Sequence, residues 1–425
     1  GLLASPAMRL RLLIAGLGIV ALTPGTVLAA WLAPARIAPA AGASHSSPDA
    51  ALAGGRALAA WLRTPTPAAP TGRVVVAARP RPSGPWARRT LSGAGARAPR
   101  VALNAGGDAA VAWVSGLSVV VAVRRGAGGG WAVARVASAG GPVQDLRVAV
   151  ARTGRPVAMW SERRGDSFVV HLATRPSARA GWGLTPARLT TPGPAPPSLA
   201  LSPGAGALVA WVEDGHTLSA RTRDGAFERP GEISGEESAS PGAGLSPRGA
   251  GLVAWGAGLP GGTSVVLGAD RASAGTAWGA PEDLGIGRAP QVALNDRGDA
   301  VVAWSLDGMG EPQGVEAAVR RRGGAWHATT VVPRRTCRCA ISVRRAAVDG
   351  EGAVLVAWSR HDAEGAGGGG AAAGRAGGSA WTRPGLRALR VRGAPAVAGG
   401  AAAGGIAVWI EDGPSGGVLA ATLAG

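Results

Sequence analysis

Most of the chain is made of short runs of alanine, valine and leucine, each stopped by glycine, asparagine or aspartate, and one phrase keeps returning. It reads VALNAGGDAAVAW at 101–113, VALNDRGDAVVAW at 292–304, LALSPGAGALVAW at 199–211, AGLSPRGAGLVAW at 243–255 and AAVDGEGAVLVAW at 346–358. Weaker copies end at Trp61, Trp160 and Trp409, so eight tryptophans stand 52, 47, 51, 44, 49, 54 and 51 residues apart. A period near fifty is the length of one four-stranded propeller blade. In the unit starting at Val101, strand a is VALN, strand b AAVAWVS, strand c SVVVAVRR and strand d WAVARVAS, with AGGD and AGGG as turns. Such turns between β-branched runs predict hairpins. Runs apolar on both sides suit sheets covered on both faces.

The expectation is therefore an all-β chain, a single eight-bladed β-propeller of four-stranded antiparallel blades spanning 31–425. A second aromatic opens strand d in seven units: Trp86, Trp131, Trp182, Phe227, Trp278, Trp326 and Trp381. The eighth unit supplies strands a to c and then the sequence stops at Gly425. Its strand d is found at the other end, where WLAPARIA (31–38) aligns without a gap on WGAPEDLG (278–285). An N-terminal strand completing the last blade removes the open edge of a linear array. The seventh unit is the poorest, its strand c reduced to AAAGR at 371–375 behind a Gly/Ala-rich loop.

Ahead of that strand, Met8-Arg9-Leu10-Arg11, the apolar run LLIAGLGIVAL, the breaker Thr23-Pro24-Gly25 and the small residues before Ala30 have the layout of a secretory signal. Residues 1–30 are read as a signal peptide starting at Met8, cleaved near Ala29 or Ala30. An uncleaved anchor is the alternative, because Leu12 to Ala33 nearly spans a bilayer. After cleavage no membrane span follows.

Composition adds a question of charge. Apolar residues are 46% of the chain, mostly Ala and Val, which requires thin, closely packed layers; 70 Gly and 32 Pro punctuate many short strands. The formal charge is +18, all 44 basic residues are Arg, and losing Arg9 and Arg11 with the leader leaves +16. An anionic partner is one reading; the codon bias of a high-GC genome is the other. No Arg run interleaved with aromatics gives a specific nucleic-acid signal.

An up-and-down meander puts the a–b and c–d turns on one face of the disc and the b–c and d–a loops on the other. On the first face Asp108 and Asp299 are expected to pair with Arg124, Arg125, Arg320 and Arg321. On the second, acids follow the strand-b Trp: Glu162, Glu213 with Asp214, Asp307, Asp362, and Glu411 with Asp412. That face also carries the d–a loop PRRTCRCAISVRR at 333–345 and the b–c loop SRHDAEG at 359–365, which holds His361. These acids and His361 are the candidate binding residues. Cys337 and Cys339, the only cysteines, are a candidate disulfide in an exported chain. The five His residues show no metal-ligand spacing, and no cofactor motif is found. A sialidase-type mechanism is excluded because it uses tyrosine and the chain has none.

The phrase resembles the G-D-A-V-V-A-W-type repeats of secreted bacterial β-propeller repeat proteins, a group mostly without assigned function. The resemblance covers Trp31 to Gly425 and implies fold, not chemistry. The functional expectation is a secreted, monomeric, non-catalytic propeller that binds a surface glycan, polymer or protein. The alternatives are an extracellular glycosidase or polysaccharide lyase using loop-face carboxylates, and a structural envelope scaffold.

Overall fold

Each run of Ala and Val folds back on the next through the turn that the repeat phrase supplies, and the strands sort into eight antiparallel sheets. The computed structural model describes residues 31–39, 43–66, 69–81, 84–177, 180–185, 189–202, 204, 206–223, 226–235, 237–260, 262–273, 275–306, 313–335, 339–362, 367–378, 380–382, 391, 394–400, 404–411 and 417–423. The leader expected at 1–30 lies outside them. No helix among the described residues is long and apolar enough to cross a membrane.

Numbered from the first complete sheet, the blades begin with strands a at Ser44–Ala53, Ala96–Leu103, Val143–Val150, Ser198–Ser202, Ser238–Leu245, Arg288–Leu294, Cys339–Val348 and Ala396–Gly399. Blade 1 continues with Arg56–Thr64, Arg73–Arg79 and Ala87–Thr90, and the other blades repeat that meander, blade 7 with three strands among the described residues and a bridge from Ala373 to Thr382. Outer strands are split in two: Gly183–Leu184 and Leu189–Pro192 in blade 3, Ala226–Phe227 and Gly231–Glu232 in blade 4.

The closing strand forms as the alignment implies. Ala35–Ala38 pairs antiparallel with Val418–Leu423, matching Ala35 to Ala420, Arg36 to Leu419 and Ala38 to Val418. Trp31 bridges to Leu423, and the Leu32 amide donates to the Thr422 carbonyl at 2.8 Å. Ile37 and Ala38 are buried in a cluster that joins Ile406 and Val408 of blade 8 to Trp61 of blade 1. The ring is thus closed by the N-terminal strand.

The strand-b tryptophans sit at the seams between blades, each 9% exposed or less. Their rings need slots, and glycine provides them. Gly287 has φ of +148°, and a Cβ there would run into Cδ1 of Trp304 in the next blade, whose Nε1 donates to the Ile286 carbonyl at 2.8 Å. The strand-d tryptophans are half-buried and capped by arginines at the end of strand c. Arg79, Arg124, Arg271 and Arg320 lie over Trp86, Trp131, Trp278 and Trp326 at 5.1, 5.2, 4.9 and 4.4 Å.

Three expectations are corrected here. Arg124 and Arg320 do not pair with Asp108 and Asp299, because the turn itself uses those acids: each accepts the side-chain amide of the asparagine four residues earlier at 2.9 Å. Asn104 and Asn295 then donate across the seam to the carbonyls of Ala151 and Asp349 at 2.8 and 2.7 Å. The Asn-x-x-Gly-Asp phrase is a clamp between blades. Strand c of blade 7 is not limited to 371–375 but runs over Gly367–Arg375, its glycines included, since a Cβ at Gly370 would sit 2.5 Å from Cζ2 of Trp358. The segment 333–345 is not mostly loop: His327–Arg335 is strand d of blade 6, and Cys339–Val348 is strand a of blade 7.

Deleting residues 31–38 should abolish cooperative unfolding or cause aggregation, since it opens an edge and uncovers blade 8. Trp31→Ala, at a half-buried ring, should cost roughly 2–3 kcal/mol, below the ~3–5 kcal/mol typical of a fully buried Trp. Thermal and denaturant melts check both. Wild-type stability after the deletion would show that the strand contributes nothing.

Candidate functional site

Strand a is the innermost strand of every blade, so whatever interrupts its apolar pattern faces the axis. There the blades enclose a cavity of about 790 Å³ to which all eight contribute. Strand a does not enter it straight. Its pairing with strand b slips by a residue between Ser46 and Asp49, Arg97 and Arg100, Val143 and Asp145, Ala239 and Gly242, Arg288 and Gln291, and Val343 and Arg345. In four of these bulges a residue other than glycine takes positive φ: Ser47, Ala98, Ser240 and Ala289 at 47–52°. A bulge re-aims the side chains that follow it, and each of these sits two residues before the same register position.

That position is the partner of the residue just before the strand-b Trp. Around the ring it holds Asp49, Arg100, Arg147, Ser198, Gly242, Gln291, Arg345 and Ala396. All of them line the cavity, joined by Asp145, Arg344, Ser359 and His361. The charges gather in one sector, blades 7, 1, 2 and 3, whereas blades 4, 5 and 6 present Ser198, Gly242 and Gln291.

The charged sector is partly knitted together. Asp49, 2% exposed, accepts the Val101 amide of blade 2 at 2.8 Å on one oxygen and Nη1 of Arg345 on the other. Arg345 reaches it past blade 8, which has only Ala396 at this register. Arg147 meets Asp145 at 3.0 Å and donates from Nε to the Leu199 carbonyl at 3.1 Å; Arg344 donates to Ser359 Oγ at 2.8 Å. Arg100 donates to the Pro99 carbonyl at 3.0 Å. Burial pushes its pKa below the usual arginine range; Asp49 and Asp145 act the other way, and Arg147 and Arg345 add to the depression. Four guanidiniums therefore face two carboxylates in a confined cavity, an excess of positive charge where the walls screen it less than bulk water does.

The acids expected to bind are not gathered into one place. Glu162, 1% exposed, accepts Arg164 Nε at 2.7 Å and the Gly140 amide at 2.9 Å, and lies 3.3 Å from His171, which stacks on Trp160. Glu213 takes Trp211 Nε1 at 3.1 Å. Asp214, with φ of 51°, and Gly215 form the two-residue turn between paired Glu213 and His216. Glu411 ion-pairs with Arg36 of the closing strand at 2.8 Å. His361 is the one candidate that lines the axial cavity. Asp307, Asp412, Cys337 and the side chain of Asp362 lie outside the described residues; Cys339 is disulfide-bonded. Among the described residues no group of three or more His, Cys, Asp and Glu could hold a metal ion.

Sequence reasoning missed the ring, although a signal was there. Thirteen residues before the strand-b Trp stand Arg100, Arg147, Ser198, Gly242, Gln291, Arg345 and Ala396, a variable column inside an otherwise apolar strand. Asp49 stands twelve before its Trp because its a–b turn is shorter.

No protein-family model and no curated protein sequence matches the chain. Solved structures that resemble it include a protein of unknown function from Dyadobacter fermentans, at 10% identity and TM-score 0.46, covering 93% of this chain and 98% of that one. Another is the β-propeller domain of the Trilobed protease from Pyrococcus furiosus, at 12% and 0.46, covering 81% and 98%. A third is the polysaccharide lyase Uly1, at 9% and 0.44, covering 90% and 91%.

Glu162 gives this side of the disc a pH dependence. Burial alone would raise its pKa, but Arg164, the Gly140 amide and His171 outweigh burial and hold it below the ordinary glutamate value of 4.5. A depressed carboxylate stabilises the fold fully above its unfolded pKa and stops doing so as pH falls through the folded one. Glu162→Gln should cost roughly 1–3 kcal/mol at neutral pH and should flatten the loss of stability from about pH 5 to about pH 3. Melts across that range decide it; an unchanged acid limb would remove Glu162 from the account.

Proposed function

We propose that the protein is an exported, non-catalytic binding module whose axial channel takes an anionic group of an extracellular glycan or polymer. One observation carries this reading: Arg100, Arg147, Arg344 and Arg345, from three blades, share one cavity with only Asp49 and Asp145 to balance them among its described lining residues. Guanidiniums match carboxylate, sulfate and phosphate oxygens geometrically and remain charged when desolvated. Ser198 and Gln291 supply uncharged hydrogen-bonding groups across the cavity, where a sugar's hydroxyls would lie.

Hydrolysis or elimination by paired carboxylates is the competing reading, since Asp49 and Asp145 line the same cavity. Asp49, however, has both oxygens engaged, by the Val101 amide and by Arg345. Asp145 is tied to Arg147 and to the Leu146 amide. Carboxylates held this way orient arginines and keep them extended.

Calorimetry with galacturonate, a sulfated monosaccharide and neutral glucose tests the reading. The acidic sugars should bind, more weakly at high salt, and glucose should not. Arg147→Gln should weaken acidic-sugar binding about tenfold, which is ~1.4 kcal/mol, and lower stability by only about 1 kcal/mol for the lost bond to Leu199. Equal binding of glucose, or no effect of Arg147→Gln, would overturn the channel as the anion site. Release of new reducing ends or unsaturated sugars from an acidic polymer would make the protein an enzyme instead.

A further inference from the structure

From Ala50 to Gly107 the sequence contains nine arginines and no acidic residue. Four of the nine are used inside the fold: Arg56 on the Ala105 carbonyl, Arg79 on Thr422 and Trp86, Arg97 on the Val143 carbonyl, and Arg100 in the channel. The remaining five, Arg63, Arg73, Arg81, Arg88 and Arg89, are exposed.

Three of those five share one side of blade 1. Arg63, at the end of strand b, stands directly opposite Arg73, at the start of strand c, and also opposite His45 on strand a. Directly opposite residues in an antiparallel pair point to the same side of the sheet, so His45, Arg63 and Arg73 form one cross-strand row. Val75 and Ala77 follow Arg73 on that side, and Arg88 opposes Ala77. The inner end of the row abuts the channel, because Ser46 and Ser47, next to His45, line it. From His45 on strand a to Arg73 on strand c the row spans roughly 10 Å, two inter-strand spacings of about 4.8 Å, and Arg88 lies four residues further along strand c, opposite Ala77.

Among the described residues no acid balances this row: none pairs with Arg63, Arg73 or Arg88. His45 is no counter-charge: burial lowers its pKa, Arg63 and Arg88 lower it further, and only its hydrogen bond to the Pro39 carbonyl opposes them. Like charges directly opposite one another destabilise a sheet, so Arg63 beside Arg73 works against the fold.

We propose that this row is an outer subsite that continues the axial anion site outward, and that the ligand is a linear acidic polysaccharide lying from the channel across blade 1. The proposal rests on the channel reading for its inner end. Contacts linked along one polymer add up without any single strong one, which suits three exposed arginines whose separate worth is small. A polysaccharide fits better than a nucleic acid because single-stranded nucleic acid is held by bases stacked on exposed aromatic rings. The aromatic on this side of strand b, Trp61, is 1% exposed.

The test compares galacturonate monomer, polygalacturonate and an oligothymidylate of similar charge, each titrated into wild type, R63S/R73S and Arg147→Gln at several salt concentrations. Wild type should bind polygalacturonate at least tenfold more tightly than the monomer. R63S/R73S should weaken polymer binding about five- to tenfold and flatten its salt dependence, with monomer binding unchanged. Its melting temperature should not fall, since it removes a like-charge pair. The outer subsite is overturned if polymer affinity and salt dependence survive R63S/R73S, or if monomer binding drops in step. It is overturned as a polysaccharide site if oligothymidylate binds as tightly. Loss of polymer binding in R63S/R73S together with an unaffected Arg147→Gln would instead refute the channel reading and leave the outer row standing.

Discussion

The structure depends on how closely two blades can approach each other. Eight sheets closing a ring leave thin seams, and each seam holds one tryptophan ring from strand b. A ring that size fits only where the facing backbone has no side chain in the way. This is why Gly287 faces Trp304 and why Gly370 lies beside Trp358. It also explains a core of alanine and valine. Any larger residue along the seam would force blades apart and lose dispersion contacts over the whole interface.

With the seams set by tryptophan, polar groups lock the register. The Asn-x-x-Gly-Asp turns clamp neighbours at one end of the disc through Asn104 and Asn295. Near the axis, ring residues do the same. Asp49 accepts the Val101 amide, Ser198 Oγ accepts the Ala243 amide, and Arg147 donates to the Leu199 carbonyl, each from one blade to the next at the same register. These bonds satisfy strand-a backbone groups that have no ladder partner on the axial side. The ring is therefore structural at Asp49, Arg147 and Ser198 and charged only in one sector, and structure alone gives no reason for that asymmetry.

The repeat phrase made the blade count, the meander and the closing strand legible, because those follow from a pattern repeated down the chain. WLAPARIA matched a strand-d phrase and paired as one. The candidate site was much less legible. Glu162 and Glu213 look like surface acids in sequence, yet each is spent on a neighbour that only the fold brings close: Arg164 and His171 for the first, the Trp211 indole for the second. Arg100 and Arg345 look like loop charges because the bulges before them break the two-residue alternation. Positive φ at Ala98 and Ala289 carries no sequence mark, since glycine or asparagine would be expected there. Blade 7's strand c was missed for the opposite reason, a glycine run that reads as a loop but is needed beside Trp358.

Repetition thus identifies what the fold requires, and departures from repetition locate what it does not require. The seam tryptophan, present in all eight units, and the turn asparagine, present in two, serve closure. The ring column varies, with Arg in blades 2, 3 and 7 and uncharged residues in blades 4, 5, 6 and 8, and its Asp–Arg sector includes blade 1, whose exposed arginines meet no acid among the described residues. A scaffold without a ligand would gain from replacing Arg63 or Arg73, each of which repels the other, and from replacing half-buried Arg100, whose charge is costly to desolvate. Arg63 and Arg73 stand together on the side of blade 1 that faces blade 8, and Arg100 enters the channel from blade 2. A polyanion long enough to touch both places would offset the repulsion within the row and the desolvation of Arg100 together.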